Sequence, residues 1–243
     1  MSGCVTEPMT GRSQFIMTPS GQETALGLSE FDKLKREVPV SGDAAKTAIL
    51  QKVGRRIAEV SGMEEAQWEF VLFESPQANA FCLPGGKVEI YTGILPITRD
   101  EAGLATVIGH EVAHALARHG GERMSMAMGL QMLGSVGTVA TAQSKYGPVF
   151  QQMYAPASQV AVALPHSRVQ ESSADEIGLI LMAKAGYAPQ SAVGFWQRFS
   201  EYNRTSGNQT PWFLRTHPLD EQRIAKIQSL LPKAQAEFRP ATR

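Results

Sequence analysis

Residues 107–120, VIGHEVAHALARHG, set three of the chain's five histidines and one glutamate in a nearly uncharged stretch with helical spacing. Leu104, Ile108, Val112, Ala115 and Leu116 make one apolar flank, and Gly109, Ala113 and Ala117 are small, so a helix here can be packed nearly all round. Such a helix needs a chain able to surround it. With 243 residues, 43% hydrophobic and 19% charged, this one is long and apolar enough to do so. Burying Glu111 unpaired in that helix would be costly, and a cation beside it removes the cost.

His110 and His114 are four residues apart, hence about 40° apart on one helix face and one turn from each other, where both imidazoles reach the same metal ion. Glu111 is rotated by about 100° from His110, placed to serve a water at the metal without being a ligand. This is the H-E-x-x-H arrangement of zinc peptidases, with Glu111 as general base. A catalytic zinc takes three protein ligands and keeps one position open. The metzincin spacing would put Gly and His three and six residues after the second His, where this chain has Ala117 and Gly120. His119 comes one place early, about 140° around from His114, and reads as a helix-end histidine favoured by the C-terminal dipole. The stretch SRVQESSADEIG offers a glutamate from another helix. Glu171 and Asp175 share a face, and Ser172, Ser173 and Ala174 between them permit close approach. Glu171 is expected to be the third ligand of one zinc per chain and Asp175 to accept from a ligand imidazole. Glu176 projects about 100° from Asp175 and is expected to be a decoy.

Lys plus Arg and Asp plus Glu both number 23, and no nucleic-acid-reading motif occurs, so no nucleic-acid partner is expected. Two cysteines exclude a disulfide framework and a cysteine-type zinc cluster. Cys82 reads as a small buried hydrophobe. Cys4, in MSGC, reads either as a lipidated cysteine at the end of a bacterial lipobox, giving membrane contact, or as an arbitrary residue of a frayed terminus.

Residues 1–22, rich in Gly, Ser, Thr and Pro, read as a flexible tether, and 23–243 as a single domain. Helical periodicity covers 24–38 and 43–60, with Asp43 a natural N-cap. QWEFVLFES, 67–75, reads as a strand, and Pro84-Gly85-Gly86 as a turn between two more strands. A long helix begins at Asp100 and is expected to reach about Arg118, with Gly120-Gly121 ending it. Between Arg123 and Arg168 only Lys145 is charged. Residues 124–144 are long enough to span a bilayer, but Gln131, Gln143 and several Ser, Thr and Gly residues dilute them, which favours a lid or buried hairpin. Helices are expected at 168–186, 189–204 and 218–231. Helices sit mostly after strands, so the fold class is α+β.

HEVAH, then SRVQESSAD, then THP with Arg223 following, resembles the gluzincin metallopeptidase family of HtpX-type proteases, CAAX prenyl endopeptidases and Oma-type proteases. NAFCLPGGKVEIYTGIL is similar to the family's asparagine-bearing strand and glycine turn. The resemblance covers roughly residues 25–231 and implies a mostly helical zincin domain with a small β-sheet whose edge strand lines the active-site cleft. It implies a zinc-dependent endopeptidase acting on polypeptides, including misfolded or membrane-associated ones, in cell-envelope protein quality control. The short C-terminus suits the compact Oma-like, lipoprotein-type branch, so a periplasmic, outer-membrane-anchored protein is expected. Substrate backbone is expected to add to the strand around Ala78–Leu83. There Asn79 is either a substrate-binding residue or a turn asparagine. His217 is the nominee for oxyanion donor, with helix capping or packing as the other reading. Arg223 either orients the surroundings of His217 or pairs with Asp220 or Glu221. His166 is read as a local packing residue, and Arg168 as an anchor for a nearby carboxylate. The rival function is a zinc-bound binding or chaperone-like module with a structural or latent metal. An intact Glu111 speaks against it, since a closed structural site has no use for a base.

Overall fold

The computed structural model describes residues 3–129, 166–206 and 211–240. Strands β1 (Gly3–Thr6) and β2 (Ser13–Ile16) pair antiparallel ahead of helix α1 (Ser20–Glu37). Helix α2 (Ala44–Val60), strands β3 (Glu69–Phe73), β4 (Ala80–Leu83) and β5 (Lys87–Tyr91), and one-turn helix α3 (Leu95–Thr98) come next. Helix α4 (Glu101–Leu116) follows, and residues 119–129 form α5. Beyond them lie α6 (Arg168–Lys184), α7 (Ser191–Thr205), the short α8 (Trp212–Thr216) and α9 (Glu221–Ala236). The class is the expected α+β, mostly helical with small sheets.

Local chemistry explains most boundaries. Asp43 caps α2 by accepting from the Lys46 amide at 3.0 Å, and Asp100 caps α4 by accepting from the Gly103 amide at 2.8 Å. Buried Leu50, Val53, Gly54 and Ile57 make the helical stripe of α2. The second sheet has the order β3-β5-β4, with β3 parallel and β4 antiparallel to β5. Its β4–β5 turn needs φ of 93° at Gly85 and 89° at Gly86, a region other residues rarely adopt. Strand order leaves β4 at an edge, packed beside α4.

Helix α4 is buried at every position from Gly103 to His114, as its composition demands. It crosses α6 backbone to backbone. A Cβ on Gly109 would lie 2.9 Å from the Gly178 carbonyl oxygen, and one on Gly178 would lie 2.9 Å from the His110 nitrogen. The close approach expected of Ser172, Ser173 and Ala174 is thus made one turn later, by a glycine pair.

Three expectations need correction. Residues 3–22 are no tether. They form the β1–β2 hairpin and the start of α1, with Glu7 only 2% exposed. Gly120-Gly121 does not end the long helix, because the chain breaks at Ala117-Arg118, where Arg118 takes φ 54°, and both glycines lie inside α5. Pro218 does not open the last helix. Asp220 caps it by accepting from the Arg223 amide at 2.8 Å, and Pro232 lies inside it. Of the segment 124–167, residues 124–129 are helical, and the lid or hairpin expected of 130–165 lies outside the described residues. Among the described residues, no helix is long and apolar enough to cross a membrane.

Candidate metal centre

Helix α4 presents His110 and His114 on one face, and α6 brings Glu171 against them. His110 Nε2 and His114 Nε2 are 3.1 Å apart. Glu171 Oε1 lies 3.3 Å from His114 Nε2, and Oε2 lies 3.5 Å from His110 Nε2. His217, held at the end of α8, joins them. Its Nδ1 is 3.2 Å from His110 Nε2 and 3.0 Å from Glu171 Oε1. All four side chains are buried, and their donor atoms fall within 4.8 Å of one another. A tetrahedral zinc with bonds of about 2.0–2.1 Å spaces its donors about 3.3 Å apart, so two imidazoles and a carboxylate at these separations fit zinc. His217 Nδ1 adds a fourth donor atom to this group, where the sequence pointed to an oxyanion donor.

Glu111 stands beside this cluster, with Oε1 3.4 Å from His217 Nε2. That oxygen is buried without a hydrogen-bond partner among the described residues, an arrangement that a cation and its water would relieve. Burial raises the Glu111 carboxyl above the usual range, against the pull of His217 and His110. A base that must accept and return a proton near neutral pH gains from that shift.

Asp175 sits behind His110, its Oδ1 3.0 Å from His110 Nδ1, at hydrogen-bond distance although off the ideal line. Arg223 grips the same carboxylate in bidentate fashion, Nε to Oδ2 at 2.8 Å and Nη2 to Oδ1 at 2.9 Å, and its Nη1 also meets Glu171. Its guanidinium lies over the Trp196 ring, 4.1 Å from the centroid. One of its expected roles holds, since Nη1 also donates to the Pro218 carbonyl beside His217 at 3.0 Å, whereas Asp220 bonds only its backbone and the grip on Asp175 was not foreseen. Burial lowers the His114 imidazole well below its ordinary value, assisted by the neighbouring His166 and His110, which favours the neutral, ligating form.

Glu176 turns away and pairs with Lys233 at 2.6 Å. Arg168 meets a carboxylate as expected, Asp220 at 3.3 Å. Asn79 is buried immediately before β4, its carbonyl accepting from the Tyr91 amide at 3.1 Å. His119 is not a helix-end residue exposed to a dipole. It is fully buried, its Nδ1 2.8 Å from His114 Nδ1 and its Nε2 2.8 Å from Glu7 Oε1. His166 packs against the His217 ring at 4.9 Å between centroids and meets the Arg123 guanidinium.

The profile of Peptidase family M48 matches residues 44–231. The chain belongs to peptidase family M48. Among relatives, the Mitochondrial metalloendopeptidase OMA1 of Schizosaccharomyces pombe is 37% identical over 191 residues, 79% of this chain and 55% of that protein. Its counterpart in Saccharomyces cerevisiae is 31% identical over 244 residues, 93% of this chain and 69% of that protein. The Beta-barrel assembly-enhancing protease of Escherichia coli is 27% identical over 226 residues, 90% of this chain and 46% of that protein. This M48 chain therefore spans about half to two thirds of the length of those relatives. Zinc is the metal its family implies, and the two imidazoles and the carboxylate fit it. The expectation of a periplasmic, outer-membrane-anchored lipoprotein is corrected by relatives named as mitochondrial, from yeasts to Homo sapiens. Cys4 is moreover part of strand β1, paired with Phe15, rather than of a free tether.

Proposed function

We propose that this M48 chain is a zinc-dependent endopeptidase that hydrolyses peptide bonds of polypeptide substrates. The observation that carries this reading is the convergence of His110, His114 and Glu171 on one point, with the buried Glu111 carboxylate beside it. Zinc held there supplies a Lewis acid that polarises the scissile carbonyl and makes water acidic enough to attack near neutral pH. Glu111 takes the proton of the attacking water and returns it to the leaving amine. Asp175 orients the His110 ring from behind, and Arg223 fixes Asp175. The edge strand β4 offers substrate backbone a ladder to extend, with Asn79 at its start as a further contact. Misfolded or membrane-associated proteins, handled in protein quality control, are the substrates we favour. A relative named for enhancing β-barrel assembly supports that setting.

A second reading concerns His217. With Nδ1 among the donors it closes the centre as a fourth ligand, and it becomes an oxyanion donor only after withdrawing from that corner. His217→Phe separates the two. As donor, its loss lowers kcat by about a hundredfold at unchanged zinc affinity. As ligand, its loss weakens zinc instead. The function itself is tested by casein digestion with the chain carrying one zinc, abolished by a chelator and restored by zinc. Zinc-loaded protein that leaves casein and unfolded peptides intact would favour a structural or latent metal.

A further inference from the structure

We propose that Glu7, His119 and His114 form a carboxylate–imidazole–imidazole relay that orients the second metal-ligating histidine, so that the N-terminal hairpin completes the metal centre. The inference rests on the metal reading above and extends it to residues outside the 44–231 stretch matched to the family. A ligating imidazole has a second nitrogen, whose hydrogen bond fixes the ring's tautomer and aim. For His110 that partner is Asp175. Beside His114 Nδ1 no carboxylate stands among the described residues. His114 Nδ1 instead meets His119 Nδ1 at 2.8 Å, and His119 Nε2 meets Glu7 Oε1 at 2.8 Å.

One proton arrangement satisfies the whole line. With His114 Nε2 facing the metal, its Nδ1–H donates to His119 Nδ1, and His119 Nε2–H donates to the Glu7 carboxylate. Glu7 is held for this task. It accepts from Arg12 Nε at 2.6 Å and from the hydroxyls of Thr10 and Ser173, the latter two residues from Glu171 on α6. Arg12 in turn spans to Glu122 through two hydrogen bonds of 2.9 and 2.7 Å, and Gln14 donates to the Ala117 carbonyl at 2.7 Å. The hairpin is therefore fastened both to the turn between α4 and α5 and to the first turn of α5, which His119 opens.

His114, His119 and His166 also lie close enough to suggest a second metal. Two observations speak for a proton there instead. The Nδ1 atoms of His114 and His119 are 2.8 Å apart, a hydrogen-bond separation shorter than the about 3.3 Å between two zinc donors, and the Arg123 cation sits on the His166 ring nitrogens.

The test measures the zinc dissociation constant by chelator competition and the visible absorption of the cobalt-substituted full chain. Glu7→Gln and His119→Phe should weaken zinc by about 10-fold and about 100-fold, the range for such outer partners, and should shift the cobalt band. Ser125→Ala, which removes the hydroxyl that accepts from the Met17 amide at the end of the hairpin and touches none of Glu7, Arg12 or His119, should lower Tm and leave affinity and band as in the parent. Far-UV circular dichroism checks folding, and the nearly isosteric Glu7→Gln decides alone if His119→Phe does not fold. Parental affinity and spectrum in Glu7→Gln would overturn the relay. So would a Ser125→Ala protein as impaired in zinc binding as Glu7→Gln. A parent that takes up no zinc would overturn the metal reading itself, a separate outcome.

Discussion

Glu171 and Glu176 lie on the same helix, one buried among imidazoles and the other paired with Lys233 at the surface. Glu171→Ala should abolish stoichiometric zinc in elemental analysis, whereas Glu176→Ala should keep it. Both retaining a full equivalent would place the third ligand elsewhere. Arg223→Met should destabilise the fold by about 3–5 kcal/mol in urea titration, because it leaves Asp175 buried without its cation. A change within the error of the titration would refute that balance. The meeting of His110, His114 and Glu171 was legible because a repeat of four residues on a helix is itself a statement about geometry. The Arg223–Asp175 pair and the Glu7–His119 contact were not, since their partners are 48 and 112 residues apart and no local pattern announces them.

Among the elements, β5 carries an unusual liability. Glu89 is fully buried in the middle strand, neither carboxylate oxygen is hydrogen-bonded among the described residues, and burial raises its pKa to about 9. Its ordinary value is 4.5. Below that value both the folded and the unfolded chain hold the proton, and nothing is lost. Between the two values only the folded state holds it, so stability falls as pH rises, by about 3 kcal/mol at pH 7. Glu89→Gln stays neutral throughout. The Tm of the variant relative to the parent should therefore climb from pH 5 to pH 8, and a constant difference would contradict this. At the α4–α6 crossing, Gly178→Ala should cost about 1–3 kcal/mol, since its methyl would meet the His110 backbone. An unchanged midpoint in urea would show the crossing has slack. Aspartate caps and the Pro-Gly-Gly turn made the helices and the β4–β5 hairpin readable. The β1–β2 hairpin was not, because its strands are four residues each and their Gly-, Ser- and Thr-rich surroundings look like a tether.

In the whole molecule, one buried site joins the hairpin, α4, α6 and the α8–α9 corner. A metal bound there is linked to global folding. Zinc at about a hundred times its Kd should add about 2.7 kcal/mol, raising Tm by about 5–10 °C over the chelator-treated protein. An unaltered Tm would mean that the donors do not close on a metal. The central claim, that Glu111 is the base of a zinc endopeptidase, is tested most directly by the rate of casein cleavage by purified Glu111→Gln carrying one zinc. The account predicts full zinc content with hydrolysis lowered by about 100-fold or more. Cleavage at the parental rate by that zinc-loaded variant would contradict it.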